Sequence, residues 1–225
     1  MYKRKMIAAK NHLRTVLTHK KWVFYYCCKA GIPLQGLVHD LSKFSPTEFM
    51  ESINYYTGTH SPIDECKKKN GVSYAWMHHK GRNPHHYEYW QDNFDKGGQP
   101  IKMPYKYAVE LLCDYLGAGR AYQRERFTYK GEYEWWLKKR ELIKSMHPHT
   151  FRFVDKIFST MMELESVGKD PTFALRKRYT KHIYRSLDYS SDITVCETDR
   201  TGKIINKRLF TNVYPAGMST EIDDE

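Results

Sequence analysis

Apolar residues recur at helical spacing through most of the first three-quarters of the chain, and glycine and proline mark the breaks. The pattern predicts a long helix over residues 4–29, stopped by Gly31-Ile32-Pro33, and a short helix over 34–43. Ser45-Pro46-Thr47-Glu48 reads as a capping box with proline at the first helical position, opening a helix to residue 56. Residues 57–70 read as a polar loop. A helix over 72–79 breaks at Gly81, and Asn83-Pro84 caps the next, over 84–94. After a break at Gly97-Gly98-Gln99-Pro100, helices follow over 104–124, 132–146 and 150–167, and Asp170-Pro171 opens a basic helix to 184. The period then changes: 193–197 and 203–210 read as a β-hairpin around a turn at 199–202, ahead of an acidic tail over 218–225. The expected fold is mainly α, a helical bundle over residues 1–168. A final helix, a small β-hairpin appendage and the tail make up 169–225.

Composition bounds the class. With 225 residues, 40% of them hydrophobic, the chain can bury one sizeable core and is not disordered throughout. The longest apolar or aromatic run, 22–28, is far short of the ~20 residues a membrane helix requires. Residues 1–10 are basic but no apolar stretch follows, so no signal peptide is expected. Five cysteines without a C-x-x-C pair fit a reducing compartment, and a cytoplasmic protein is the expectation. The net charge of +11 raises the local concentration of anions. Lys and Arg are spread along the chain, however, which fits a solvated basic surface better than a nucleic-acid interface. Phosphate-loop, dinucleotide-binding and nucleophile-elbow motifs are absent.

The chemistry lies in the histidines. Most of the eleven fall at a few points, among them His19, His39-Asp40, His78-His79 and His85-His86, and Asp114 follows within an apolar helical stretch. Imidazole and carboxylate are ligands for borderline transition metals, and rigid helices can bring them to one point in a bundle. A carboxylate among Leu, Cys and Tyr is costly to bury unless paired or metal-bound. Neighbouring histidines on a helix point about 100° apart, so one of each pair is expected to face a metal. His79 and His85 are favoured, with His86 close behind. Glu88, three residues after His85, is a candidate ligand, general base or tautomer-fixing acceptor, or else a partner of Arg82 or Lys80. By itself Lys43 reads as a helix C-terminal charge, stabilising by ~0.3–1 kcal/mol.

The order His19, His39-Asp40, Asp114, with the doublet continuing as His39-Asp40-Leu41-Ser42-Lys43, resembles the HD superfamily of metal-dependent phosphohydrolases. The resemblance implies an HD-like helical bundle holding one or two divalent ions (Mn, Fe, Ni, Co or Zn) on His19, His39, Asp40 and Asp114, with His79, His85 and His86 serving a second ion. Asp40 would then be the bridge. It also implies that Lys43 lies near a substrate phosphate, helped by Arg82 or Arg120, and that Asp40, Lys43 and Glu88 are the catalytic candidates. The inserted histidines are similar to those of the dinuclear branches, cyclic-dinucleotide phosphodiesterases and di-iron oxygenases, although the two middle sites are only about seven residues apart and no G-Y-P element is present. The pairing of His39-Asp40-Leu41-Ser42-Lys43-Phe44-Ser45-Pro46 with Asn83-Pro84-His85-His86-Tyr87-Glu88-Tyr89-Trp90 also resembles an uncharacterised family of bacterial and phage proteins. The leading expectation is hydrolysis of a phosphoester, such as a nucleotide, by a metal-activated water. The alternatives are a di-iron oxygenase on the same scaffold and a non-catalytic basic protein that binds nucleic acid or another partner.

Overall fold

The computed structural model describes residues 2–92, 98–143, 145–187, 193–198 and 204–210. Helix α1 (Tyr2–Ala30) forms the spine, burying Val16, Val23, Tyr26, Cys27 and Ala30. It ends where the sequence says it should. Gly31 turns left-handed (φ 75°), and the Ile32 N–H donates back to the Cys27 carbonyl at 2.9 Å. Helix α2 (Pro33–Val38) then folds against α1, closely enough that a Cβ on Gly36 would stand 2.9 Å from the Phe24 Cα. The expected helix over 34–43 breaks in its middle. His39 caps α2, Asp40 adopts a left-handed conformation (φ 56°), and Leu41–Phe44 form a 3-10 turn. The doublet therefore sits on a sharp bend.

Helix α3 (Pro46–Tyr55) starts at the Ser45 cap, whose hydroxyl accepts from the Glu48 N–H at 3.4 Å. The segment expected as a polar loop contains a helix, α4 (Pro62–Asn70), with Pro at its start, Asp64 and Glu65 in its first turn, lysines in its last and Gly71 left-handed beyond it. Helix α5 (Tyr74–Lys80) is capped by Ser73, which accepts from Trp76 N–H at 3.0 Å. Of the helix expected over 84–94, residues 93 and 94 lie outside the described residues, and 84–92 do not form an α-helix. Hydrogen bonds from His86 to Asn83, Tyr89 to His86 and Trp90 to Tyr87 span three residues each, making successive tight turns with one 3-10 segment, Tyr87–Tyr89.

Helices α6 (Tyr105–Gln123), α7 (Tyr129–Arg140) and α8 (Pro148–Ser166) follow, then a 3-10 segment (Pro171–Leu175) and α9 (Lys177–Ser186). The core joins α1 and α6 to Trp136 of α7, to Phe153, Ile157 and Phe158 of α8, and to Leu175 and Tyr184 beyond it. Ala174, Leu175 and Tyr184, beyond the expected division at 168, pack into the same core as α1 and α6. Asp170 caps the 3-10 segment rather than the basic helix, which begins at Lys177. Strands β1 (Ile193–Thr198) and β2 (Ile204–Phe210) pair antiparallel, Ile193 opposite Phe210. The expected turn and acidic tail lie outside the described residues. Among those residues, no helix is long and apolar enough to cross a membrane.

Candidate metal centre

Helices α1 and α6 pack closely against each other, and Gly117 permits it: a Cβ there would lie 2.4 Å from Val23 Cγ2 and 3.0 Å from the Val23 backbone nitrogen. This close approach brings His19 of α1 to Asp114 of α6, Nε2 to Oδ1 3.1 Å. Lys20, next to His19, donates to the carbonyls of Leu37 and His39 at 2.7 and 2.8 Å and so holds the bend that presents the doublet. His39 Nε2 then stands 3.3 Å from His19 Nε2, 3.2 Å from Asp40 Oδ2 and 3.3 Å from Asp114 Oδ1. These four residues, all buried, can present one ligand atom each within 4.8 Å of one another.

A second group shares Asp40. Its other oxygen, Oδ1, lies 3.4 Å from His79 Nε2 and 3.4 Å from His85 Nε2. With His86 these form a second set that could hold an ion. His79 comes from α5, and Asn83 ties the following turn to it, donating to the His79 carbonyl at 2.7 Å. The Trp90 indole N–H closes the other end of the turn on the Pro84 carbonyl at 2.6 Å. Because residues 83–90 turn rather than continue as a helix, the 100° limit does not apply to His85 and His86, and both reach the site. On helical α5 it does apply: His79 Nε2 reaches Asp40, while His78 stops at Glu48, Nδ1 to Oε1 2.6 Å.

Two carboxylates fix the imidazoles from behind. Glu110 Oε1, one helical turn before Asp114, receives the Nδ1–H of His39 at 2.9 Å and of His85 at 3.1 Å. Glu48 Oε2 receives that of His79 at 2.8 Å. With Nδ1 engaged, Nε2 is the nitrogen left to face the site, and the Nε2 atoms of His39, His79 and His85 point at the oxygens of one carboxylate. Acceptors facing acceptors repel unless protons or a cation intervene. Asp40 Oδ1 and the Nε2 atoms of His85 and His86 are buried without a hydrogen bond, while Asp40 Oδ2 has the Lys43 ammonium against it. Burial works against charge on Asp40 and Asp114, yet His39, Lys43 and His79 around the first, and His19 and His39 around the second, hold both carboxyls well below the usual range. Burial likewise opposes charge on His39, but Asp40, Asp114 and Glu110 raise it well above an ordinary imidazole. His86, among other histidines, is pushed well below by burial, His85 and His79. The donor set, the buried lone pairs and the carboxylates behind them fit divalent ions.

The site opens into a cavity of about 510 Å³ lined by Lys43, His12, His86, Asp114, Glu88 and residues of α4 and α7. Lys43 pairs with Asp40 Oδ2 and is held charged by Asp40 and Asp114 against the cost of its burial. His12 is buried against Phe49 and Tyr56 and lines the cavity.

All seven expected ligands, His19, His39, Asp40, His79, His85, His86 and Asp114, therefore converge. Arg82 and Arg120 do not. Arg82 is exposed beyond α5, at 3.5 Å from the His78 carbonyl, and Arg120 stacks on Trp22, Phe127 and Tyr129 while donating to the Tyr26 hydroxyl at 3.0 Å. Neither lines the cavity; Lys67 and Lys139 supply its additional cations. Glu88 lines the cavity with Oε2 buried and unpartnered, but belongs to neither ligand set, and Glu110 takes the tautomer-fixing role. Glu48 and Glu110 were not singled out from sequence. For Glu110 the signal was its place four residues before Asp114 on one helix face.

A family model described as a family of unknown function (DUF5662) matches residues 8–160, a span that holds every residue of both ligand sets. No curated protein and no solved structure matches the chain.

Proposed function

We propose that this chain, which belongs to the DUF5662 family, is a metal-dependent phosphohydrolase that cleaves a phosphoester in the cavity beside Asp40. One observation carries the reading. Asp40 directs one oxygen to each of two ligand sets, and the Lys43 ammonium stands beside it at the cavity wall. Paired cation positions next to a fixed ammonium make a site for an anionic oxygen-rich group, and a phosphoryl group matches that spacing of charge. His19, His39, Asp40 and Asp114 would hold one ion, and Asp40, His79, His85 and His86 the other. When bound, the ions supply Lewis acidity, which lowers the pKa of water and polarises the phosphoryl group.

The chain's own residues do the rest. Glu110 and Glu48 keep His39, His85 and His79 in the tautomer that leaves Nε2 available. Lys43 neutralises charge that builds on the phosphoryl oxygens. Lys67 and Lys139 keep the cavity attractive to anions, and Trp76, Tyr115 and Trp135 provide apolar walls for the alcohol half. The test is a screen of phosphomonoesters and phosphodiesters with added Mn. Turnover is expected with at least one class, and Lys43→Ala should reduce kcat by about 10²–10³, as for removal of one charge-stabilising donor. Metal-loaded protein that is inert on every phosphoester yet consumes oxygen with iron bound would overturn the reading in favour of an oxygenase.

A further inference from the structure

The cavity has a second polar end that the metal clusters do not use. Glu132, in the first turn of α7, is 2% exposed and lines the cavity with Gln123 of α6, whose Nε2 is 3.5 Å from Glu132 Oε2. Space for this carboxyl is made by a glycine: a Cβ on Gly119 would lie 2.1 Å from Glu132 Oε2. Tyr115 and Trp135 line the same cavity, ring centroids 5.4 Å apart, with the Lys139 ammonium 4.6 and 4.9 Å from the two rings. A buried carboxyl with only a long contact to a neighbouring amide has unused hydrogen-bonding capacity, and a cavity that displays it invites a partner.

We propose that Glu132 and Gln123 form a second subsite, which takes an uncharged ligand edge carrying a donor beside an acceptor, as in a lactam, carboxamide or aminopyrimidine, and that Glu132 determines specificity. The proposal rests on the phosphoester reading of the same cavity, since it assigns this edge to the alcohol half of that ester. Burial pushes the Glu132 carboxyl up to about 8, with Lys139 acting in the opposite sense. At neutral pH it is a carboxylic acid, with an O–H to donate and a carbonyl to accept. Among the described residues Lys139, on the same helix, is the charged group that acts on it; α6 presents Gly119 and Gln123, and the segment before α7 presents Phe127, all uncharged.

Nucleoside 5′-methylenephosphonates carry such edges and cannot be hydrolysed, and benzylphosphonate has the ring and the anion without the edge. Their binding to the protein as purified is followed by quenching of Trp76 and Trp135. At least one of the adenosine, guanosine, cytidine and uridine analogues should bind tenfold or more tightly than benzylphosphonate. Glu132→Leu should erase that preference and Glu132→Gln should keep it, because an amide also donates and accepts. Wild-type affinity should fall above pH 8, and that of Glu132→Gln should not. Gly119→Ala, which displaces the carboxyl without altering it, should weaken the preference in the same direction if Glu132→Leu fails to fold. The proposal is overturned if no analogue outbinds benzylphosphonate, if the preference survives in Glu132→Leu or, where that variant does not fold, in Gly119→Ala, or if Glu132→Gln loses it. A preference found in protein that is inert on every phosphomonoester and phosphodiester would sink the hydrolase reading and leave the subsite standing. Hydrolysis without preference would do the reverse.

Discussion

At the scale of single residues, Glu110 has the widest reach for its size. One oxygen accepts from His39, in the first ligand set, and from His85, in the second. Replacing it with Gln removes the charge that orients both imidazoles, so Glu110→Gln should release both ions more readily, weakening metal affinity by about 10–100-fold. Competition with a chromogenic chelator measures this directly; unchanged affinity would show that the carboxylate does not set the ligand geometry. The residues that meet at Asp40 were legible as residue types in order, because histidine doublets and an acid in an apolar stretch stand out along the chain. Glu48 and Glu110 were not. A glutamate in a capping box or in a helix looks ordinary until a partner from another element stands opposite it. Glu48 illustrates this, since its backbone N–H completes the cap while its side chain turns to His78 and His79.

At the scale of elements, the contact between α1 and α6 decides whether the first ligand set assembles. Adding a methyl group at Gly117 would meet Val23, backbone included. Gly117→Ala should therefore destabilise the fold by about 1–3 kcal/mol. That corresponds to roughly 2–4 °C in Tm for each kcal/mol in a chain of this length. A thermal melt unchanged from wild type would mean that the helices can separate freely. Helices with strong apolar periodicity and clear stops were read correctly from sequence, α1 and α6 within a residue or two at each end. α4 was missed because Ile63 and Cys66 give it little apolar signal, although its caps and charge order were all present. Residues 84–94 failed in the opposite sense. Asn83-Pro84 looked like a helix start, but the Asn83 side chain bonds back to His79, and Trp90 returns to Pro84, so the segment closes as a turn.

At the scale of the molecule, the burial of ionisable groups makes stability depend on pH in both directions. Glu132 holds its proton to about 8 in the folded state against an ordinary value of 4.5. Between these values the unfolded chain has lost a proton that the folded chain keeps, so stability falls as pH rises through the window. His149, pushed down to about 3 by burial and by Lys102, and His12, pushed down to about 4 by burial and Lys43, act on the acid side. Unfolded imidazoles take up protons below 6.5 that the folded ones refuse, so stability falls again as pH drops toward those values. The stability of Glu132→Gln relative to wild type should rise steadily from pH 5 to 8 and level off above it, measured by urea unfolding in the presence of chelator. A difference independent of pH would contradict the buried neutral acid. The mainly α fold was legible because helical periodicity is local, whereas the meeting of five separate elements at Asp40 depends on packing that no local pattern encodes. That meeting is tested most directly by elemental analysis of the purified protein and of Asp40→Ala and Asp114→Ala. Two ions per chain are expected in the wild type, one for each ligand set, with about one left in Asp114→Ala and almost none in Asp40→Ala. A wild type without metal, or an Asp40→Ala variant that retains its full content, would show that the two sets are not joined through Asp40.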